Sequence, residues 1–182
     1  MADNPKAGTE SKLVSAAREA FQAVADDVSN KQRELAEKES DLEKDYGPSD
    51  IFRALKDKCV SVESGEYEYE LCWMAATSQK SKTGHGNTNM GNFASISREI
   101  VDEEVPADGK GLGSGERMVL KYENGQGCWN GPNRRTDVWL ACAETEEVWR
   151  VSESEKCVYR MEVGTPAACE EALEPPREKD EL

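Results

Sequence analysis

The chain has 182 residues, a formal net charge of −14 and one histidine, His85. No run of about 18 apolar residues exists, so no spanning helix is encoded. The acidic balance opposes non-specific binding to nucleic acid or anionic lipid, where phosphate contacts need basic surface. A lone histidine leaves little material for a Ser-His-Asp triad or a multi-histidine metal centre.

Acids outnumber bases 11 to 7 in residues 1–46, 20 to 14 in 47–169 and 6 to 2 in 170–182, so the tail is the most acidic part per residue. Residues 1–10 are polar and bury little, which predicts disorder, and they lack the apolar core of a secretory signal. Residues 11–46 predict a helix, because Ser11 to Lys44 is free of Gly and Pro and rich in good helix formers. Val14, Phe21, Val28, Leu35 and Leu42 recur every seven residues, with Ala17, Val24, Lys31 and Lys38 three positions later. Both heptad positions are apolar early and only one is later, which is a coiled-coil pattern that weakens along the helix. Such a helix, about 50 Å long at 1.5 Å per residue, cannot bury its stripe against itself. It needs a partner helix, a partner protein or the following domain, unless it is a solvated spacer. Gly47-Pro48 ends the segment, since Pro cannot continue a helix.

All six cysteines, at 59, 72, 128, 142, 157 and 169, fall in the middle of the chain. No CxxC pair occurs, which argues against a zinc ribbon or a thioredoxin-type site. The choice is six buried thiols or three disulfides, and the strand-like, Gly-rich context favours disulfides. Spacing alone leaves about 15 connectivities open.

The same region alternates as strands do. Tyr67, Tyr69, Leu71 and Trp73 face one way and Glu66, Glu68 and Glu70 the other. Residues 117–123 place Met118, Leu120 and Tyr122 on one side. Residues 136–142 place Val138, Leu140 and Cys142 together. Residues 147–151 are a further candidate strand. In 157–163, Cys157, Tyr159, Met161 and Val163 share one face, and Val158, Arg160 and Glu162 the other. Ser64-Gly65, Asn124-Gly125 and Asn130-Gly131-Pro132 read as turns. Residues 80–115, rich in Gly, Ser, Asn and Lys, are expected to include long loops, with 106–116 the loosest part. Several short strands with turn signals imply a mainly β fold, a sandwich or flattened barrel.

No Walker loop, G-x-S-x-G or HExxH motif is present, and nothing supports catalysis. Gln79, Arg134 and Glu162 stand out, each on or beside a strand among aromatics and cysteines. An amide, a guanidinium and a carboxylate can match the vicinal hydroxyls of a sugar, since they offer donors and acceptors in fixed planes. Taken singly, each also reads as an ordinary surface or ion-pair residue.

Four stretches carry a family resemblance: Asp45-Tyr46-Gly47-Pro48, Ser78-Gln79-Lys80, the run from Lys121 to Arg134 that includes Gly127-Cys128-Trp129-Asn130-Gly131-Pro132-Asn133-Arg134, and Cys157-Val158-Tyr159-Arg160-Met161-Glu162 with Thr165-Pro166-Ala167-Ala168-Cys169. Residues 47–170 thereby resemble the mannose 6-phosphate receptor homology domain, most closely the version in the glucosidase II β subunit family. The charged helix in front resembles the coiled-coil segment that precedes the domain there. The resemblance implies a flattened β-barrel of two sheets that binds terminal mannose. It implies that Gln79 and Arg134 bond the axial 2-hydroxyl, that Glu162 accepts from the 3- and 4-hydroxyls, and that Phe93, Trp129 and Tyr159 are further candidate contacts. It also implies the pairs Cys59–Cys72, Cys128–Cys157 and Cys142–Cys169, and no cofactor or metal.

Residues 171–182 form an acidic tail ending Lys179-Asp180-Glu181-Leu182, which is the endoplasmic reticulum retention address when it stands at a free C-terminus. This agrees with disulfides and places the chain in the reticulum lumen, with a retention receptor as one partner. Such a protein needs an N-terminal signal, so the chain is expected to be the C-terminal part of a longer one. The resemblance names two more partners: the catalytic α subunit of the glucosidase and the mannose-bearing N-glycans of glycoproteins. The role implied is a non-catalytic lectin subunit that promotes glucose trimming. The alternative is a protein-interaction module in which the helix is the functional part and the barrel a degenerate lectin.

Overall fold

The computed structural model describes residues 11–84 and 86–169. The predicted disordered start, His85 and the tail with its Lys179–Leu182 ending lie outside the described residues. Two compact units divide after Lys44.

The first unit is one helix, α1 (Lys12–Leu42). Ser11 caps it: its hydroxyl accepts from the Val14 backbone N–H at 3.3 Å, satisfying a donor that the first turn leaves open. Side-chain pairs one turn apart support the polar flank, among them Gln22 with Asp26 and Lys31 with Asp27. None of its residues is buried, and Phe21, Val24, Val28 and Leu35 are all exposed. The helix ends at Leu42, before Gly47-Pro48.

The second unit opens with a 3-10 stretch, Pro48–Leu55, that drops Phe52 and Leu55 into the core. The Phe52 ring stacks on Trp73 at 6.0 Å between centroids. Eight strands follow: β1 (Cys59–Ser64), β2 (Tyr67–Cys72), β3 (Ala76–Ser81), β4 (Asn87–Asp102), β5 (Ser114–Glu123), β6 (Arg135–Cys142), β7 (Glu147–Glu155) and β8 (Val158–Thr165). Their order in the sheet is β1-β2-β3-β4-β5-β6-β8-β7. All neighbours are antiparallel except β6 and β8, which run parallel because β8 enters between β6 and β7. The edge strands β1 and β7 come together, so the sheet curls into a nearly closed, flattened barrel. Closure hides the edges that an open sheet would present to other chains.

The inner face carries the core: Leu71, Trp73, Met90, Leu120, Tyr122, Val138, Leu140, Met161 and Val163 are buried in one cluster with Phe52 and Tyr159. These are the positions that alternation assigns to a common side in β2, β5, β6 and β8. The long loop expected within 80–115 is found at 103–113, while β4, the longest strand at 16 residues, occupies 87–102 where no strand is read from the sequence. Its register shifts against β3 near Thr77/Ser78 and against β5 near Phe93/Ser95. A bulge moves the inward positions by one, so Met90, Phe93 and Ile96 all reach the core while no strict period of two runs through the strand.

Polar links cross the barrel interior. The buried Thr77 hydroxyl donates to the Thr136 hydroxyl at 3.0 Å, which donates in turn to the Met90 carbonyl at 3.2 Å. Tyr122 accepts from the Met74 N–H at 3.2 Å and donates to the Cys72 carbonyl at 3.3 Å, and burial pushes its hydroxyl pKa well up. Three disulfides join Cys59 to Cys72, Cys128 to Cys157 and Cys142 to Cys169, the pairs that the resemblance implies. Each closes a loop of tens of residues and contributes on the order of 3 kcal/mol in the chain-entropy model.

Candidate carbohydrate-binding site

One end of the barrel gathers the ends of five strands. Gln79 lies near the end of β3, opposite Tyr69 on β2, and its Nε2 donates to the Tyr69 hydroxyl at 3.0 Å. Gln79 is two residues beyond Thr77, so it shares the inward face. Tyr159, near the start of β8, pairs with Thr136 on β6 and with Glu153 on β7, and faces inward with both. Burial raises the Tyr69 pKa against the pull of the Gln79 hydrogen bond, and Tyr159, Tyr67 and Glu153 are close enough to add to the rise. Tyr69 therefore stands as a neutral phenol that accepts from Gln79 and keeps its own proton to donate. Fixing the amide nitrogen on Tyr69 leaves the Gln79 carbonyl oxygen aimed elsewhere.

Glu153 is exposed, and its Oε1 accepts from the Cys157 backbone N–H at 2.7 Å, which anchors the carboxylate across the tight β7–β8 turn. The described residues give Oε2 no partner. Arg134 sits immediately before β6 at the same end. Its Nη1 donates to the carbonyls of Gln126 and Gly127, at 3.2 and 2.9 Å, while its Nε is buried with no hydrogen-bond partner. A buried donor without an acceptor is costly, and a bound hydroxyl would satisfy it.

The loop that holds Arg134 is clamped by its backbone. Gly125 N–H donates to the Arg134 carbonyl, Arg134 N–H to the Gln126 carbonyl and Gln126 N–H to the Asn89 carbonyl. Gly125 lies so close to β4 that a Cβ there would stand 2.7 Å from the Gly91 nitrogen. The Asn124-Gly125 turn is thus required by contact as well as by bending. The Cys128–Cys157 disulfide ties this loop to the turn that carries Glu153.

The predicted residues separate. Gln79, Arg134 and Tyr159 come to this end together. Glu162 does not come to this end. It lies on the outer face of β8, opposite in direction to Tyr159, beside Trp139 on β6 and Arg150 on β7. There it accepts from Arg150 Nη1 at 3.3 Å and pairs with Arg160 Nη2 at 3.4 Å. These contacts belong to an outer ladder in which Lys121 bridges Glu99 and Asp137. Phe93 is half-buried, packs edge-to-face on Tyr122 at 5.8 Å and lies against the core cluster. Trp129 is 85% exposed, next to the disulfide at Cys128. Sequence reasoning missed Glu153 and Tyr69. Tyr69 could be found from its alternation with Leu71 and Trp73, whereas Glu153 depends on the cross-strand register of β7 with β8, which the sequence does not display.

An eight-stranded, nearly closed barrel that carries the Gly-Cys-Trp-Asn-Gly-Pro-Asn-Arg loop at one end matches the fold that the resemblance to the mannose 6-phosphate receptor homology domain implies. The family model described as glucosidase II beta subunit-like protein matches residues 17–181, and the chain belongs to that family. Among curated relatives, the glucosidase 2 subunit beta of Mycosarcoma maydis is 35% identical over 164 residues, 88% of this chain and 27% of that protein. The subunit of Homo sapiens is 37% identical over 137 residues, 75% of this chain and 24% of that protein. The chain thus spans about a quarter of their length. A crystal structure of the receptor homology domain of glucosidase II beta bound to mannose is 35% identical, covering 65% of this chain and 99% of that one, with a TM-score of 0.47.

Proposed function

We propose that the barrel is a mannose-binding module and that Gln79, Arg134, Glu153 and Tyr159 hold the sugar. The observation that carries this reading is the set of unused valences at one barrel end. The Gln79 carbonyl, the Arg134 Nε and the Glu153 Oε2 stand at that end as acceptor, donor and charged acceptor, with no partner among the described residues. By the family resemblance, Gln79 and Arg134 read the axial 2-hydroxyl, the group that separates mannose from glucose. Glu153 takes the role of the carboxylate that holds the 3- and 4-hydroxyls through charge-assisted bonds. Tyr159 closes the fourth side.

In the longer protein this module serves as the non-catalytic lectin part of a glucosidase II β subunit in the endoplasmic reticulum lumen. It binds mannose on high-mannose N-glycans and raises the local concentration of the glucose-bearing arm at the catalytic α subunit. Weak single-site affinity is then sufficient. Three disulfides support an oxidising compartment such as the reticulum lumen, and the Lys179-Asp180-Glu181-Leu182 motif is of the kind a retention receptor reads at a free C-terminus. The exposed apolar stripe of α1 favours a protein-contact role for the helix in addition. Titration of the chain with methyl α-mannoside, followed by calorimetry, tests the reading. Saturable binding that glucose does not reproduce and that Arg134→Ala removes is expected. Binding that survives Arg134→Ala, or an equal response to glucose, refutes it.

A further inference from the structure

The opposite end of the barrel holds a second concavity, a half-open groove of about 830 Å³. Leu112 and Leu140 line it as buried residues and Met118 and Trp149 as half-buried ones, while Ile51 and Val105 line it at 37% and 54% exposure. Two cations also line the groove. Arg98 is matched by Glu116 at 2.8 Å. Arg117 is not matched: its three nitrogens donate at 2.8, 2.8 and 3.0 Å to the carbonyls of Leu112, Glu116 and Ser114, and among the described residues no carboxylate pairs with it. The groove therefore combines an apolar lining with a positive charge that has only carbonyl partners.

Ala167, Ala168 and Cys169 also line the groove, and Cys169 is pinned there by its disulfide to Cys142. The chain passes into residues 170–182 at the groove itself. The next seven residues are Glu170-Glu171-Ala172-Leu173-Glu174-Pro175-Pro176. Leu173 is the only large apolar side chain between Cys169 and the final Leu182, and three carboxylates flank it. An extended chain spans at most about 3.5 Å per residue, so Leu173 can stand anywhere within roughly 14 Å of Cys169.

We propose that residues 170–174 dock in this groove, with Leu173 seated against Met118 and Trp149 and a carboxylate of Glu170 or Glu171 paired with Arg117. Both halves of the fit are complementary: an apolar side chain for an apolar lining, and an acidic segment for an unmatched guanidinium. Docking fixes where the free tail begins. The groove and the sugar site lie at opposite ends, so both can be filled at once.

The test uses the full 182-residue chain labelled at its methionine methyls. Met118 is the one described methionine in the groove, and Met74, Met90 and Met161 serve as references. Docking predicts nuclear Overhauser contacts between the Met118 methyl and the Leu173 methyls. It also predicts that Leu173→Ser moves the Met118 resonance and leaves the references in place. Glu170→Gln with Glu171→Gln moves Met118 in the same direction, as does added salt, because the ion pair is screened. Absence of both the contacts and the Leu173→Ser shift overturns the proposal. So does a Met118 shift that follows dilution and ignores Leu173→Ser, which assigns the groove to a second copy of the chain.

Discussion

Replacing Glu153 by Gln changes one charge and almost no volume, and the structure says what that costs. The carboxylate has two oxygens with separate tasks. Oε1 accepts from the Cys157 N–H at 2.7 Å, and Oε2, with no partner among the described residues, is the oxygen proposed to take the sugar hydroxyls at the Gln79 end of the barrel. Glutamine keeps the first bond through its carbonyl and so turns its NH₂ toward the sugar, placing a donor where a charged acceptor stood. One charge-assisted hydrogen bond is lost, about 1.5–3 kcal/mol, which is roughly a 10- to 150-fold weaker dissociation constant. Glu162→Gln is the matched control. It loosens the outer pairs with Arg150 and Arg160, at 3.3 and 3.4 Å, and leaves the basin intact. Calorimetric titration with methyl α-mannoside, with a urea melt of each variant to confirm folding, reads both. Wild-type affinity in Glu153→Gln, or loss of binding in Glu162→Gln with the fold retained, refutes the assignment.

Gly125→Ala is expected to weaken mannose binding at least tenfold while the barrel stays folded, because the new Cβ at 2.7 Å from the Gly91 nitrogen pushes the Arg134 loop off β4; chemical shifts of the 124–134 backbone check the displacement. Thr136→Val leaves the Thr77 hydroxyl and the Met90 carbonyl unpaired in the interior, a loss of about 1–3 kcal/mol in urea unfolding, and Thr136→Ser restores most of it. The hydrogen bond from Lys121, opposed by partial burial, holds the Glu99 carboxyl below its ordinary 4.5. A depressed folded pKa means that this stability is present above about pH 4.5 and lost as pH falls through the folded value. Lys121→Met should therefore flatten the acid limb of a stability-versus-pH curve between those values, and an unchanged limb would count against the pairing.

The strands that could be read from sequence are those with an unbroken period of two. Leu71 and Trp73, Leu120 and Tyr122, and Met161 and Val163 announce their faces because nothing interrupts the alternation and the partner face is polar. β4 hides because its bulge beside β5 shifts the inward set by one, and because Ser, Asn and Gly fill the positions between Met90, Phe93 and Ile96. The end of β7 hides for a different reason. Ser152–Glu155 carries no apolar residue, so only its pairing with Arg160, Tyr159 and Val158 on β8 makes it a strand. That pairing also decides which acid faces the basin. Alternation places Glu162 opposite Tyr159, but it cannot say that Glu153, six residues earlier on another strand, lies directly across from Tyr159. Cross-strand register is a property of closure, and closure depends on β8 entering between β6 and β7.

A crystal of the chain soaked with methyl α-mannoside tests the central claim most directly. The account predicts one sugar at the Gln79 end of the barrel, its axial 2-hydroxyl within hydrogen-bond distance of Gln79 and Arg134 and its 3- and 4-hydroxyls on Glu153. A sugar seated on the outer face at Glu162, or a basin that stays empty at saturating mannoside while solution binding persists, would contradict it.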